Sequence, residues 1–136
     1  MIASNPTIDA GTISATTNGS VTSLTFNKTF ANAPYVFLTP QTDSQGINIS
    51  ATTWAKDITT STANIVACLH NGGGDVCQTG QPNETIGYIA FDPASFSYPD
   101  FQQGNQNIGA STWTNISYTP YINKPLINVA INTENG

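Results

Sequence analysis

Short apolar segments recur along this chain between turn residues such as Pro, Gly and Asn; some alternate with Thr, Ser or Asn, and the segment at residues 35 to 38 is continuously apolar. The segments of this kind are residues 21 to 26, 35 to 38, 47 to 51, 63 to 69 and 84 to 92. Alternation with a period of two between turn residues predicts β-strands, and no segment keeps the 3.6-residue period of a helix. The 20 Thr, 11 Ser and 15 Asn also favour strands and turns. The sequence therefore predicts an all-β fold, an antiparallel, immunoglobulin-like β-sandwich of about seven to nine strands.

The 136 residues are enough for one domain and its core. We expect residues 1 to 20 to form an N-terminal arm and residues 21 to 136 to form a single β-sandwich. In the arm the apolar alternation slips at Gly11, which predicts a bulge or two short strands. Residues 93 to 112 are rich in Ser, Pro, Gln, Asn and Gly and predict a long surface connection.

The phase of the alternation predicts which strand residues face the core. We expect four apolar side chains to lie inside the sandwich and two threonines to face outward. The predicted core residues are Phe26, Val36, Ile89 and Phe91, and the predicted outward residues are Thr25 and Thr39.

Charge is scarce: only 8% of the residues are charged, there is no Arg, and the net charge is -5. This composition excludes nucleic acid as a partner, because phosphate binding needs a basic surface. No apolar run approaches eighteen residues and the first residues lack a signal-peptide pattern, so we expect no membrane insertion and no signal peptide in these residues. A neutral Thr, Ser and Asn surface is typical of extracellular, cell-surface, virion or phage-surface proteins, and we expect one of these locations.

Residues that could carry catalysis are few. His70 is the single histidine, and we expect it to bond to the neighbouring loop rather than to act in catalysis. The six Asp and two Glu are scattered, and the glycine-rich residues 71 to 75 lack the lysine and the strand-to-helix context of a phosphate loop. We expect no catalytic residue, no metal site, no cofactor and no enzymatic activity.

Cys68 and Cys77 lie on the two sides of the glycine-rich loop. Two cysteines at the ends of one excursion in a small outward-facing β-protein favour a disulfide over a metal pair. The alternative is two reduced thiols in the core.

Five Asn-X-Ser/Thr sequons are candidate glycosylation sites, and the sixth, at Asn5, is disqualified by its proline. Several sequons arise by chance in a chain of this composition, and they are used only where the producing cell glycosylates. The candidates are Asn18, Asn27, Asn48, Asn83 and Asn115.

The chain contains an apparent internal repeat. Residues 21 to 26 match residues 113 to 118, and residues 33 to 36 match residues 124 to 127, although chance similarity between Thr-rich strands is an alternative. The succession of an apolar-Thr-Phe strand, a turn ending in Pro34, a hydrophobic strand and the late strand at residues 87 to 91 resembles the H-type lectin-like β-sandwich. The resemblance covers about residues 21 to 92, with a partial second copy from residue 113. It implies a small antiparallel sandwich, often multimeric, in extracellular or tail-fibre proteins that sometimes bind N-acetylgalactosamine, and it supplies no sugar-contact residues.

The arm suggests a mode of assembly that resembles donor-strand-exchange fibre subunits. It has too little apolar surface to form its own layer, and an added strand would place alternate side chains in the groove of another copy. We therefore expect a structural subunit of an extracellular fibre or pilus-like appendage that polymerises with itself by strand donation. The alternative is that the arm pairs within its own subunit. The arm residues are Ile2, Ile8, Ala10, Ile13 and Ala15.

A second function remains open, that of a carbohydrate-binding or phage tail-fibre adhesion module with glycans as partners. Its candidate contacts are the aromatic residues Trp54, Tyr98 and Trp113, each of which could also belong to the core.

Overall fold

The computed structural model describes residues 7–42, 49–71, 77–79, 81–92 and 115. This part of the chain contains six strands and no helix. The strands are β1 (Ile8–Ala15), β2 (Asn18–Thr25), β3 (Tyr35–Pro40), β4 (Ile49–Lys56), β5 (Thr62–Asn71) and β6 (Glu84–Phe91). The all-β prediction is confirmed. The strand number predicted for the whole chain stays a prediction, because it also covers residues outside the described part.

The six described strands form two antiparallel sheets of three, with strand orders β1-β6-β3 and β2-β5-β4. The chain passes from one sheet to the other between β1 and β2 through Thr16 and Thr17 alone. Thr17 is buried, and its carbonyl accepts a hydrogen bond from the Leu69 N–H at 3.0 Å. The hydroxyl of Thr17 also has a partner, since it donates to the carbonyl of Pro82 at 3.4 Å, so a polar side chain can occupy this buried corner.

The core lies between the sheets and forms two clusters that meet at Ile13 and Leu38, which contact both. Aromatic rings occupy the larger cluster, with Phe26 and Phe30 edge to face at a centroid distance of 5.2 Å. The buried apolar residues of the larger cluster are Leu24, Phe26, Phe30, Val36, Ala55, Ala63, Ile65, Tyr88 and Ala90. Those of the smaller cluster are Ala15, Ala67 and Ile86.

The predicted orientation of the strands is right for β2 and β3 and wrong for β6. Phe26 and Val36 are buried, and Thr25 and Thr39 are exposed, as expected. Ile89, however, is 52% exposed and lies on the outer face of its sheet. Both phases of β6 carry apolar residues, so alternation by itself does not choose the inward one.

Phe91 shares the outer phase of β6 with Ile89, yet it is only 8% exposed. Its ring is stacked on Phe37 and lies edge to face with Tyr35, at centroid distances of 5.6 and 5.7 Å. Phe91 is therefore buried, as predicted, but by neighbours on the outer face rather than by the inter-sheet core.

The first twenty residues differ most from expectation. Residues 8 to 15 form β1 inside the chain's own sandwich, so a boundary at residue 20 does not separate an arm from a domain. β1 pairs with β6 without a break through Gly11, which corrects the predicted bulge. The register shift lies instead in β2, between Asn18 and Val21, where Gly19 has a positive φ of 82°.

Candidate functional site

Among the strands that the structure describes, β1 lies at the edge of its sheet beside β6, and this strand and its groove form the candidate site. Eight consecutive residue pairs join the two strands, from Ile8 opposite Phe91 to Ala15 opposite Glu84. The positions of β1 on its inward face are Asp9, Gly11, Ile13 and Ala15. Since most of these are small, the main-chain ladder contributes much of what holds β1 in place.

This phase corrects part of the predicted donor-strand residues. Ile13 and Ala15 face the core, whereas Ile8, 38% exposed, and Ala10 face outward. The strand runs without the phase slip expected at Gly11. The predicted residues before Gly11 and those after it therefore lie on opposite faces of the strand and cannot all point inward. Ile2 lies outside the described residues.

Asp9 anchors one end of β1. Its carboxylate is 5% exposed and accepts hydrogen bonds from the backbone N–H of Asn27 at 2.7 Å and from the Tyr88 hydroxyl at 3.2 Å. The side-chain amide of Asn27 donates to the other carboxylate oxygen at 3.2 Å. A buried carboxylate is costly unless it is hydrogen-bonded, and these three donors meet that need. Asp9 therefore ties β1 to β6 and to the segment that follows β2.

Tyr88 supplies the hydroxyl of this network. Burial of the phenol raises its pKa above 10.0, and the negative charge of Asp9 and the hydrogen bond to it act in the same direction. Tyr88 is thus a protonated donor at neutral pH. Gly11 lies opposite Tyr88 in the ladder, where a Cβ would come within 3.0 Å of the ring atom Cε1. Glycine at this position lets the tyrosine ring lie against the backbone of β1.

Further hydrogen bonds hold the two ends of β1. Beyond its start, the Asp92 N–H donates to the carbonyl of Thr7 at 3.2 Å. After its end, the Thr17 hydroxyl donates to the carbonyl of Pro82 at 3.4 Å. Glu84, opposite Ala15, is buried and accepts a hydrogen bond from the hydroxyl of Thr42.

Asp9, Tyr88 and the role of Asn27 were not predicted from the sequence. The sequence does contain a signal for Asp9, because Asp9 shares the face of the strand that carries Ile13 and Ala15. An acid on an apolar face needs buried hydrogen-bond donors. Its donors could not be named from the sequence, because Asn27 and Tyr88 lie 18 and 79 residues away.

The structure joins Cys68 and Cys77 by a disulfide, as their spacing predicts, with their Cα atoms 5.0 Å apart. Cys68 lies in β5, and the Gln78 N–H next to Cys77 donates to the carbonyl of Leu69 at 3.0 Å. Gly19 lies against the bridge: a Cβ there would be 2.9 Å from the sulfur of Cys77. The disulfide therefore secures the end of β5 beside the bulged start of β2.

His70 lies beside the disulfide on the outer face of the β2-β5-β4 sheet. A hydrogen bond of 3.1 Å joins its Nε2 to the hydroxyl of Thr52, and its Nδ1 is 3.9 Å from the sulfur of Cys68. Within the described ranges, no three His, Cys, Asp or Glu side chains lie close enough together to hold a metal ion.

The sequons occupy different environments. Asn18 is exposed, and its side-chain oxygen accepts a hydrogen bond from the Ser20 N–H at 3.0 Å. The amide nitrogen of Asn27 donates to Asp9 and to the Tyr88 oxygen, so the atom that would carry a glycan there is part of the Asp9 network. Asn83 and Asn115 are exposed, and Asn48 lies outside the described residues.

Of the aromatic residues predicted to contact carbohydrate, Trp54 lies in β4 and is half-buried, opposite Val66 of β5 on the outer face. Tyr98 and Trp113 lie outside the described residues. The structure therefore brings no two of these three residues together within the part of the chain it describes.

Comparisons with protein-family models, with curated proteins and with solved structures found no match to this chain. Among the residues that the structure describes, no helix is long and apolar enough to cross a membrane.

Proposed function

We propose that this chain is a non-enzymatic structural subunit of an extracellular fibre or pilus-like appendage, whose copies join by exchanging β1. One observation carries the proposal: among the described strands β1 lies at the edge of its sheet, it is held along eight residue pairs by β6, and only Thr16 and Thr17 join it along the chain to β2. Main-chain ladders of this kind form equally well within one chain and between two.

The groove that receives β1 suits a strand from another copy. β1 turns few large side chains inward, so leaving the groove exposes little apolar surface of its own. A vacated groove leaves one edge of β6 unpaired, which favours recapture of an identical strand. If each copy gives β1 to the next, the contact is heterologous and propagates along a fibre.

The Asp9 network would set the register of an exchanged strand. A slip of one residue turns Asp9 to the opposite face of the sheet, and a slip of two moves it by about 7 Å. Either slip separates its carboxylate from the donors of Asn27 and Tyr88. Every junction in the fibre would then have the same geometry.

Two further properties support an extracellular location for the fibre. The Cys68–Cys77 disulfide is a bond that persists in oxidising compartments. The chain also has few charges and many neutral polar residues, a composition that favours a hydrated surface without basic binding patches.

Cross-linking between variants that each add one cysteine to the native Cys68–Cys77 pair tests strand exchange. Ser14 and Thr85 are opposite each other in the β1–β6 ladder, and Ser14 is exposed. Ser14→Cys and Thr85→Cys subunits are purified separately, mixed under assembly conditions and oxidised. We expect a disulfide-linked heterodimer on a non-reducing gel. The off-register mixture of Ala10→Cys with Thr85→Cys serves as the matched control and should give none, because Ala10 is opposite Ile89.

The double variant Ser14→Cys/Thr85→Cys provides the complementary test. Oxidation within one chain locks β1 in its own sandwich, so filaments seen by negative-stain microscopy should disappear and return on reduction. Filaments of normal length from the locked protein, or a wild-type protein that never forms filaments, would overturn the proposal.

A second candidate function, carbohydrate recognition, is supported by the surroundings of Trp54. Trp54 lies opposite Val66 in the ladder, and Val66 is 2% exposed although it is on the outer face of the sheet. A half-buried indole on a flat sheet can present one ring face to a sugar. Hydrogen-bonding side chains lie on either side of it, in the pairs Thr52 with His70 and Asn64 with Asp57.

Binding to an array of neutral saccharides tests this second function. Trp54→Ala should abolish binding, and Val21→Ala should leave it unchanged because Val21 is on the far side of Val66. Binding that survives Trp54→Ala, or no binding by the wild type, would exclude Trp54 as a sugar platform.

A further inference from the structure

One side chain of β6, that of Tyr88, meets two positions of β1 at once. Gly11 is opposite Tyr88 in the ladder, and Asp9 is the next position on the same face of β1. The Tyr88 hydroxyl donates to the Asp9 carboxylate at 3.2 Å. The ring crosses Gly11 to reach it, since a Cβ built on Gly11 would be 3.0 Å from Cε1, 3.2 Å from Cζ and 3.1 Å from the hydroxyl oxygen. The acid and the glycine are therefore linked requirements for a strand that lies against Tyr88.

The Tyr88 side chain is held in this position from several sides. It is 5% exposed, and its ring packs beside that of Phe26 at a centroid distance of 6.4 Å. Its hydroxyl donates to Asp9 and accepts a hydrogen bond from the side-chain amide of Asn27 at 3.3 Å. A methyl group at position 11 would have to push this ring aside and disturb both hydrogen bonds, which is the cost of overpacking a filled site.

The position of Asp9 is equally selective. Three donors converge on its carboxylate: the backbone N–H of Asn27, the side-chain amide of Asn27 and the Tyr88 hydroxyl. A strand without an acid there would leave buried donors unpaired, and an amide would add a donor to them. The pattern Asp-x-Gly occurs once in the sequence, at residues 9 to 11.

We propose that the groove beside β6 selects its strand by the Asp-x-Gly pattern. The partner that it accepts is therefore β1 of a second copy of this chain, and other extended segments are rejected. This inference rests on the proposed strand exchange, in which a vacated groove has to distinguish β1 from other strands. A main-chain ladder accepts almost any sequence, so the discrimination comes from side chains that penalise the wrong strand.

Three variants of the full chain test the requirement within one molecule: Gly11→Ala, Tyr88→Leu and the two together. Leucine has no atoms where Cε1, Cζ and the hydroxyl of Tyr88 would meet the new methyl group. In urea unfolding, Gly11→Ala should raise the unfolding equilibrium constant about tenfold or more beside Tyr88, and less than about threefold beside Leu. A Gly11→Ala protein that folds only when Tyr88→Leu is added is the same result in its strongest form.

Gly87→Ala is the matched control, because it makes the same chemical change on the strand that pairs with β1. The three atoms nearest to a Cβ on Gly87 belong to the side chain of Gln41, the closest being its amide nitrogen at 2.8 Å. Gln41 is exposed, so its side chain can move into solvent. Gly87→Ala should therefore change the unfolding equilibrium constant less than about threefold, with Tyr88 or with Leu.

Cross-linking tests the same requirement between two copies. Ser14→Cys donors with and without Gly11→Ala are mixed with Thr85→Cys acceptors with and without Tyr88→Leu, and each mixture is oxidised. The Gly11→Ala donor should give about tenfold less heterodimer than the parent donor with the Tyr88 acceptor, and should recover with the Tyr88→Leu acceptor. An acceptor that carries Gly87→Ala should cross-link to the parent donor as well as the parent acceptor does.

The two experiments separate failure of the selection from failure of strand exchange. Equal effects of Gly11→Ala beside Tyr88 and beside Leu in one chain would overturn the selection, whatever the cross-linking shows. A parent pair that cross-links, with equal yield from the Gly11→Ala donor, would overturn it between copies. No heterodimer from the parent pair would overturn strand exchange, while coupling of Gly11 to Tyr88 in one chain would still support the groove's requirement for Asp-x-Gly.

Discussion

The hydroxyl of Tyr88 donates a hydrogen bond of 3.2 Å to the carboxylate of Asp9, inside the sandwich and across 79 residues of sequence. Asn27 adds a backbone and a side-chain donor to the same carboxylate. The network joins β1 to β6 and to the segment that follows β2. The position of β1 thus depends on a buried acid as well as on its ladder with β6.

Asp9→Asn should lower the free energy of unfolding by about 1 to 3 kcal/mol, because the new amide presents a donor to groups that are themselves donors. Asp57→Asn is the control: Asp57 is exposed and accepts a hydrogen bond from the Asn64 amide at 3.0 Å, so its loss should cost less than about 0.5 kcal/mol. Urea unfolding at neutral pH measures both. Equal costs for the two variants would mean that the buried network does not anchor β1.

Stability should fall at alkaline pH because of Tyr88. Its pKa in the folded protein is raised above 10.0, chiefly by burial, so the folded state keeps a proton that the unfolded chain releases. The stabilisation is therefore complete below about pH 10 and is lost as the pH rises through the folded-state pKa. In urea unfolding between about pH 8 and 11, Tyr88→Phe should show a smaller decline than wild type. The same decline in both proteins would contradict the assignment.

Two isoleucines of β6 should respond very differently to truncation. Ile86 is fully buried in the smaller core cluster, so Ile86→Ala should cost about 2 to 5 kcal/mol. Ile89 is 52% exposed, and Ile89→Ala should cost less than about 1 kcal/mol in the monomer. Both changes replace Ile with Ala. The difference between their unfolding free energies, measured on dilute protein, therefore reports which face of β6 is buried. A reversed order of the two costs would show that β6 faces the other way.

Replacing both cysteines should destabilise the protein by about 2.5 kcal/mol in the chain-entropy model, given a sequence separation of 9 residues. Unfolding of Cys68→Ser/Cys77→Ser against wild type measures this cost. Intact mass after alkylation checks the bond itself: the unreduced native protein should gain no adduct and the reduced, unfolded protein should gain two. Two adducts on the unreduced protein would exclude the disulfide.

Local patterning was enough to predict several features of this protein. The segments at residues 63 to 69 and 84 to 92 fall within or almost coincide with β5 and β6, because alternation and turn residues act over a few neighbours. The Cys68–Cys77 bridge was predictable for the same reason, since its ends are close in the sequence. The all-β class follows from the composition and does not depend on which strands pair.

Only the tertiary structure decided the partner of β1, the inward face of β6 and the donors to Asp9. A ladder of main-chain hydrogen bonds is nearly independent of side chains, so the sequence of residues 8 to 15 does not specify β6 as its partner. In β6 both phases are apolar, and Ile86 rather than Ile89 faces the core because the opposite sheet covers that side. The donors Asn27 and Tyr88 reach Asp9 because folding brings distant segments together, and no local pattern encodes that distance.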